Sequence, residues 1–175
     1  CANLALVLRA RGHFAAAVAI HERMLAMNPD DNQGVRSLLG GEYHRLGRVG
    51  RAAEVYATAL DDVGSCMGLA LARHQLDAQP IDVGSALLSG FAANRYLAPM
   101  LLGEPWERLD GWHGTNMEEP EWVADCVPDL QALWRSVPRS AELLRWWWRA
   151  AAVRAWRTRL DEAKIALKDL AMGDR

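Results

Sequence analysis

Apolar positions recur along this chain at steps of three and four. Leu4 and Leu8 are followed by Val18, His21, Met24 and Leu25, then by Leu39 and Tyr43, then by Ala52, Ala53, Tyr56, Ala59 and Leu60. Such spacing collects apolar side chains on one face of an amphipathic helix. The pattern also repeats. Gly47 stands 35 residues after Gly12, and Tyr43, Ala52, Tyr56 and Leu60 stand at the same offset from Leu8, Ala17, His21 and Leu25. A fixed period of this length is the mark of a stacked helix-turn-helix repeat.

The first hairpin is predicted as helix from about Ala2 to Arg11, a turn at Gly12-His13, and helix from about Phe14 to Met27. Gly12 suits a helix C-terminus, where φ > 0 is often required. Pro29 cannot continue a helix, and Asp31 or Asn32 can cap the next one. The second hairpin pairs a helix from about Gln33 to Leu46 with one from about Val49 to Leu60, across Gly47. Ala17 and Ala52 fall where the paired helices approach closely, and a bulky residue there would cost about 1–3 kcal/mol of overpacking strain.

A third, degenerate pair runs from Ser65 to Leu76 and from Ile81 or Asp82 to Tyr96, with Leu97 to Leu102 extending it through a bend at Pro99. Helix resumes near Glu118, tolerates Pro120 in its first turn, and is kinked or divided at Pro128. The last region is predicted as helix from Ala141 to about Arg157 and again from about Leu160 to Met172. All eight Trp lie after residue 105. The expected organisation is therefore helical repeats over 1–102, an irregular connection over 103–117, and a helical capping region over 118–175, since terminal units of repeat arrays are atypical.

Composition narrows the function classes. A chain of 175 residues, 51% apolar, can bury a core and is not largely disordered. It has no apolar run long enough to span a membrane and no visible secretory signal. It opens at Cys1 rather than Met, already inside a helical pattern, which raises the expectation of residues upstream. Three widely spaced cysteines make neither a disulfide framework nor a zinc pattern and fit a reducing, cytoplasmic setting. The five histidines are scattered, with no HxxxH or CxxC spacing, so no metal site is predicted.

Charge is segregated. Residues 104–131 carry eight acids against Arg108 alone, whereas residues 132–175 carry ten bases against five acids. Arg outnumbers Lys eighteen to two, a bias that points to a GC-rich bacterial genome and says nothing about mechanism.

Gly12, Phe14, Ala17, Leu25 and Pro29 in the first unit, and Gly40, Tyr43, Gly47, Ala52, Tyr56, Ala59 and Leu60 in the second, together resemble the tetratricopeptide repeat. The second unit departs from that signature by lacking the closing Pro, near whose place stands Gly64. The string from Asn28 to Arg36, followed by Leu46-Gly-Arg48, Asp61-Asp62, the stretch from Asn94 to Gly103, and Ala132-Leu-Trp134, is similar to a mostly bacterial tetratricopeptide group related to the tumour-suppressor-7 family. Where that group usually has a Glu-Ala pair before a Tyr, this chain has Glu119-Pro120-Glu121-Trp122. The resemblance implies an all-α, helical-hairpin solenoid with a Trp-rich helical C-terminal region. It also implies a protein-protein interaction scaffold rather than an activity.

In such repeats the first helix of each pair lines a concave groove. The groove-facing set would include Leu6, Arg9 and Ala10 from the first unit and Ser37, Gly41, His44 and Arg45 from the second. Arg9, His44 and Arg45 form a basic patch suited to a carboxylate or an acidic peptide; the plain alternative is solvated surface charge. The clamp for a C-terminal carboxylate needs paired Lys and Asn residues, of which only Asn3 is present.

A second feature is Arg145-Trp146-Trp147-Trp148-Arg149. Arg interleaved with Trp can bind nucleic acid through phosphate contacts and stacking, or rest on an anionic membrane surface or a partner protein. On a helical wheel Leu144, Trp147, Trp148, Ala151 and Ala155 form one stripe, leaving Trp146 outward. The competing reading is a buried stripe whose Arg-rich outer face pairs with the acidic segment.

Catalysis has no sequence support. Ser65, Ser85 and Ser140 lie in no nucleophile-elbow context, Cys66 and His74 are two helical turns apart, and no phosphate-cradling Gly loop exists. Neither an enzyme nor a cofactor is predicted.

Overall fold

The computed structural model describes residues 2–31 and 34–173. Among them every regular element is helical. Two expected features, Asn32 as a cap and Gln33 as a helix start, lie outside the described residues. The chain packs as two compact units, Cys1–Ala86 and Leu87–Arg175.

The first unit is a stack of helical hairpins. Helices α1 (Ala2–Ala10) and α2 (Phe14–Met27) form one, α3 (Val35–Arg45) and α4 (Val49–Tyr56) the next, and α5 (Val63–Gln75) leads into α6 (Pro80–Ala93). Each helix packs on its successor from α1 to α5, and α3 also packs on α5. The first helices of the second and third hairpins are therefore neighbours. Gly12 and Gly47 close α1 and α3 at φ +78° and +71°, the left-handed region the period predicted for them. Asp31 caps α3, its carboxylate accepting from Val35 N at 2.7 Å and Arg36 N at 2.9 Å.

The interior of this unit centres on Tyr56, 2% exposed, whose ring lies in a slot between Gly40 of α3 and Gly68 of α5. A Cβ on either glycine would sit 2.4 Å or 2.3 Å from a ring atom. Next to it, His21 Nδ1 meets Glu42 Oε2 at 2.9 Å, with both side chains buried. The Tyr43 hydroxyl donates to Glu22. These two contacts tie α2 to α3.

The helix expected to reach Leu60 ends at Tyr56. Residues 57–62 turn instead, and Asp62 caps α5 by accepting from Ser65 N at 2.7 Å. The third hairpin starts at Val63, close to the Ser65 expected for it. Gly68 follows Gly40 by 28 residues, not 35, and brings a second glycine against the Tyr56 ring.

The second unit contains the end of α6, then α7 (Leu97–Leu102), a 3-10 turn at Asn116–Glu118, α8 (Pro120–Ala124), α9 (Val127–Arg135), α10 (Ser140–Arg149) and α11 (Ala151–Gly173). Helix α7 is separate from α6 rather than a bent extension. Buried Asn94 stops α6, accepting from Tyr96 N at 2.8 Å and donating to Met117 O and Glu119 O. Pro120 and Pro128 both fall in first turns, so Pro128 divides the segment as expected.

One expectation here is overturned. The helix predicted across Ala141 to Arg157 breaks at Ala150 (φ −56°, ψ 134°), and α11 then runs unbroken through residues 158–159. The break is stabilised from a distance. Arg157 lies over the Trp148 ring, 3.2 Å from its centroid, and donates to the Trp148 carbonyl at 3.1 Å. Ala151 and Ala155, placed by the wheel on the buried stripe, are exposed as a result.

Candidate functional site

Arg9 ends α1, and Arg45 ends α3, the first helices of successive hairpins. Both guanidiniums converge over Gly41. Their Nη1 atoms lie 3.7 Å (Arg9) and 3.3 Å (Arg45) from where a Cβ on Gly41 would stand. Arg45 donates to Gly41 O at 3.3 Å and lies over the Phe14 ring, 5.5 Å from its centroid. Arg9 reaches Leu38 O at 3.5 Å. Both are partly exposed. The missing side chain at Gly41 is what lets two like charges share this face, and their contacts with carbonyls and a ring hold them while the charge stays partly solvated.

The other predicted members are placed differently. Ser37, one turn before Gly41, is half-exposed and donates to Gly34 O at 3.2 Å. His44 is only 6% exposed, and its Nε2 meets Gln75 Oε1. Burial lowers its pKa, with the neighbouring Arg45 charge acting in the same direction and the Gln75 bond opposing. The positive charge of this face therefore rests on Arg9 and Arg45, while His44 serves as a neutral strut between α3 and α5. Leu6 and Ala10 of α1 are exposed. Gln75 escaped the sequence reading because no local pattern marks a contact with a side chain of the preceding hairpin.

The Arg/Trp helix forms a second face. Trp148 is buried, edge-on to Phe91 at 5.1 Å; Trp147 is half-buried; and Trp146 is 66% exposed, edge-on to Trp147 at 5.2 Å. Glu104 Oε1 accepts from Arg149 Nη2 at 2.8 Å and from Arg145 Nε at 3.4 Å. Further along, Lys164 pairs with Glu118 and Lys168 with Asp110. Lys168 pulls the Asp110 carboxyl below its usual pKa. Trp112 N donates to Lys164 O at 2.7 Å. The acidic segment and the basic C-terminal helices thus pair with each other, the arrangement that competed with nucleic-acid binding in the charge pattern. Glu104 could have been found as the first acid after the Gly103 helix end, but no local pattern marks its partners.

Cys66 is buried and donates to Leu60 O, and burial raises its pKa to about 11, so it is no nucleophile near neutral pH. Among the described residues, no three His, Cys, Asp or Glu side chains converge as a metal site. No helix among them is long and apolar enough to cross a membrane.

Comparison with known proteins places a tetratricopeptide repeat at residues 1–34, where the chain matches that family model. The match coincides with the first hairpin and the turn that follows it. No curated protein matches the chain, and no solved structure does.

Proposed function

We propose that this chain, which carries a tetratricopeptide repeat in an all-helical hairpin fold, is a scaffold that holds an acidic peptide or protein segment against the first helices of its repeats. The observation that carries this reading is the convergence of Arg9 and Arg45 over Gly41. Two guanidiniums from successive repeat units, meeting with the Tyr56 hydroxyl around the Cβ position that Gly41 lacks, suit a carboxylate held by more than one charge-assisted hydrogen bond. Ser37 adds a hydroxyl one turn away, and His44 keeps α3 and α5 in register beneath. The tetratricopeptide repeat supports a protein partner; the acidic chemistry rests on the arginines.

The test is a pull-down with the full chain against an Arg9→Glu, Arg45→Glu double variant. Each hydrogen bond to a charged group contributes about 1.5–3 kcal/mol, so the double variant is expected to lose the co-purifying partner while its helicity by circular dichroism is retained. An undiminished pull-down would remove the groove assignment and leave only the scaffold fold.

A further inference from the structure

Helix α10 presents a surface that the repeat groove does not explain. Glu142, Arg145, Trp146, Arg149 and Ala150 line an open concavity of about 460 Å³. Trp146 is 66% exposed and stands edge-on to Trp147. Arg145 and Arg149 are 41% and 62% exposed, and both lean on the single oxygen Glu104 Oε1. Their other N–H groups make no hydrogen bond among the described residues.

The charge count selects the partner. Arg139 pairs with Glu142, and Arg145 and Arg149 share Glu104, so three guanidiniums face two carboxylates and one net positive charge remains. Nucleic-acid affinity rests on neutralising several phosphates, each contributing about −0.9 to the salt slope. The concavity itself offers one net cation to such a strand, since Arg135, Arg154 and Arg159 are not part of its lining. A single carboxylate is a different matter, because the pair already holds one in Glu104. Trp and Arg are also the side chains that dominate protein-protein hot spots. We propose that Arg145, Trp146 and Arg149 form a protein-docking site for a partner segment carrying one carboxylate beside an apolar or aromatic side chain. The carboxylate takes the open guanidinium edges, and the neighbouring side chain covers Trp146. Glu104 acts as an internal competitor for the same two arginines.

The full chain, labelled with nitrogen-15 at tryptophan, is titrated with the peptide acetyl-Gly-Glu-Phe-Gly-amide, with its Gln analogue, and with an oligothymidine strand. The readout is the Trp146 indole N–H signal, assigned by Trp146→Phe. The Glu peptide is expected to shift this signal saturably with a Kd on the order of 1 mM. The Gln analogue and the Arg149→Gln variant should each bind about tenfold more weakly, having lost a charge-assisted pair. Glu104→Gln should bind about threefold more tightly, because a competing charge is gone. No saturable shift up to about 10 mM, equal binding of the Gln analogue, or a stronger and steeply salt-dependent response to the oligonucleotide would each overturn the proposal. The Glu and Gln peptides compared on the unaltered chain decide the matter even if a variant fails to fold.

Discussion

Replacing Gly68 with Ala isolates the contact that organises the first unit. The new Cβ would lie 2.3 Å from Tyr56 Cζ, 2.6 Å from Cε1 and 2.7 Å from Cε2, whereas carbon atoms rest at about 3.5–4.0 Å. The ring has little room to shift, because it also packs close to Gly40, whose own Cβ position lies 2.4 Å from Cε1. Overpacking of this kind costs about 1–3 kcal/mol. Ala is the better helix former, which returns about 0.5–1 kcal/mol. The expected net loss is about 1–2 kcal/mol, and with an m-value of about 2 kcal/mol/M the urea midpoint should fall by about 0.5–1 M. Far-UV circular dichroism should follow the transition, because all eight Trp lie in the second unit and their fluorescence reports only that unit. Gly50→Ala is the control: Gly50 sits in α4 with nothing near its Cβ position, and this change should leave stability equal or slightly raised. In a Tyr56→Leu background the ring atoms that clash are gone, so Gly68→Ala should change sign and stabilise. A Gly68→Ala protein as stable as the Gly50→Ala protein, or a coupling to Tyr56 below about 0.5 kcal/mol, would refute the slot as the source of the glycine requirement.

Two further outcomes follow from buried polar groups. The folded pKa of His44 lies below its unfolded value of about 6.5 because burial penalises the charged form; the unfolded chain therefore binds the extra proton first, and the stability His44 contributes is complete above about pH 6.5 and falls as pH drops below it, by up to about 1.4 kcal/mol per pH unit. Denaturation midpoints across that range should show this fall in the unaltered chain and a shallower one in His44→Gln; equal slopes would contradict the assignment. Ser65 has a fully buried hydroxyl without a hydrogen-bond partner, so Ser65→Ala should raise stability by about 1 kcal/mol in a thermal melt, and a lowered Tm would show that the hydroxyl is satisfied in solution.

The local pattern alone determined the helical class, the first two turns and the caps. Gly12, Gly47, Asp31 and Pro120 act through backbone geometry and hydrogen bonds within a few residues, so their consequences are readable in a short window. The amphipathic period and the segregation of acids from bases were likewise visible in the chain, and the pairing of 104–118 with α10 and α11 follows from that segregation. Tertiary contacts decided the rest. Helix α4 stops at Tyr56, short of Leu60, and the Tyr56 ring packs against Gly68 of the next hairpin. Asn94 divides α6 from α7 because Met117 and Glu119 carbonyls lie within its reach. The break at Ala150 persists because Arg157, a full turn and more beyond it, satisfies the Trp148 carbonyl and covers its ring. His44 is held toward its neutral form by burial, and its partner Gln75 comes from another hairpin. Each of these depends on a partner distant in sequence. Neither propensity nor periodicity carries information about such a partner, whereas packing and the desolvation of polar groups depend on it directly.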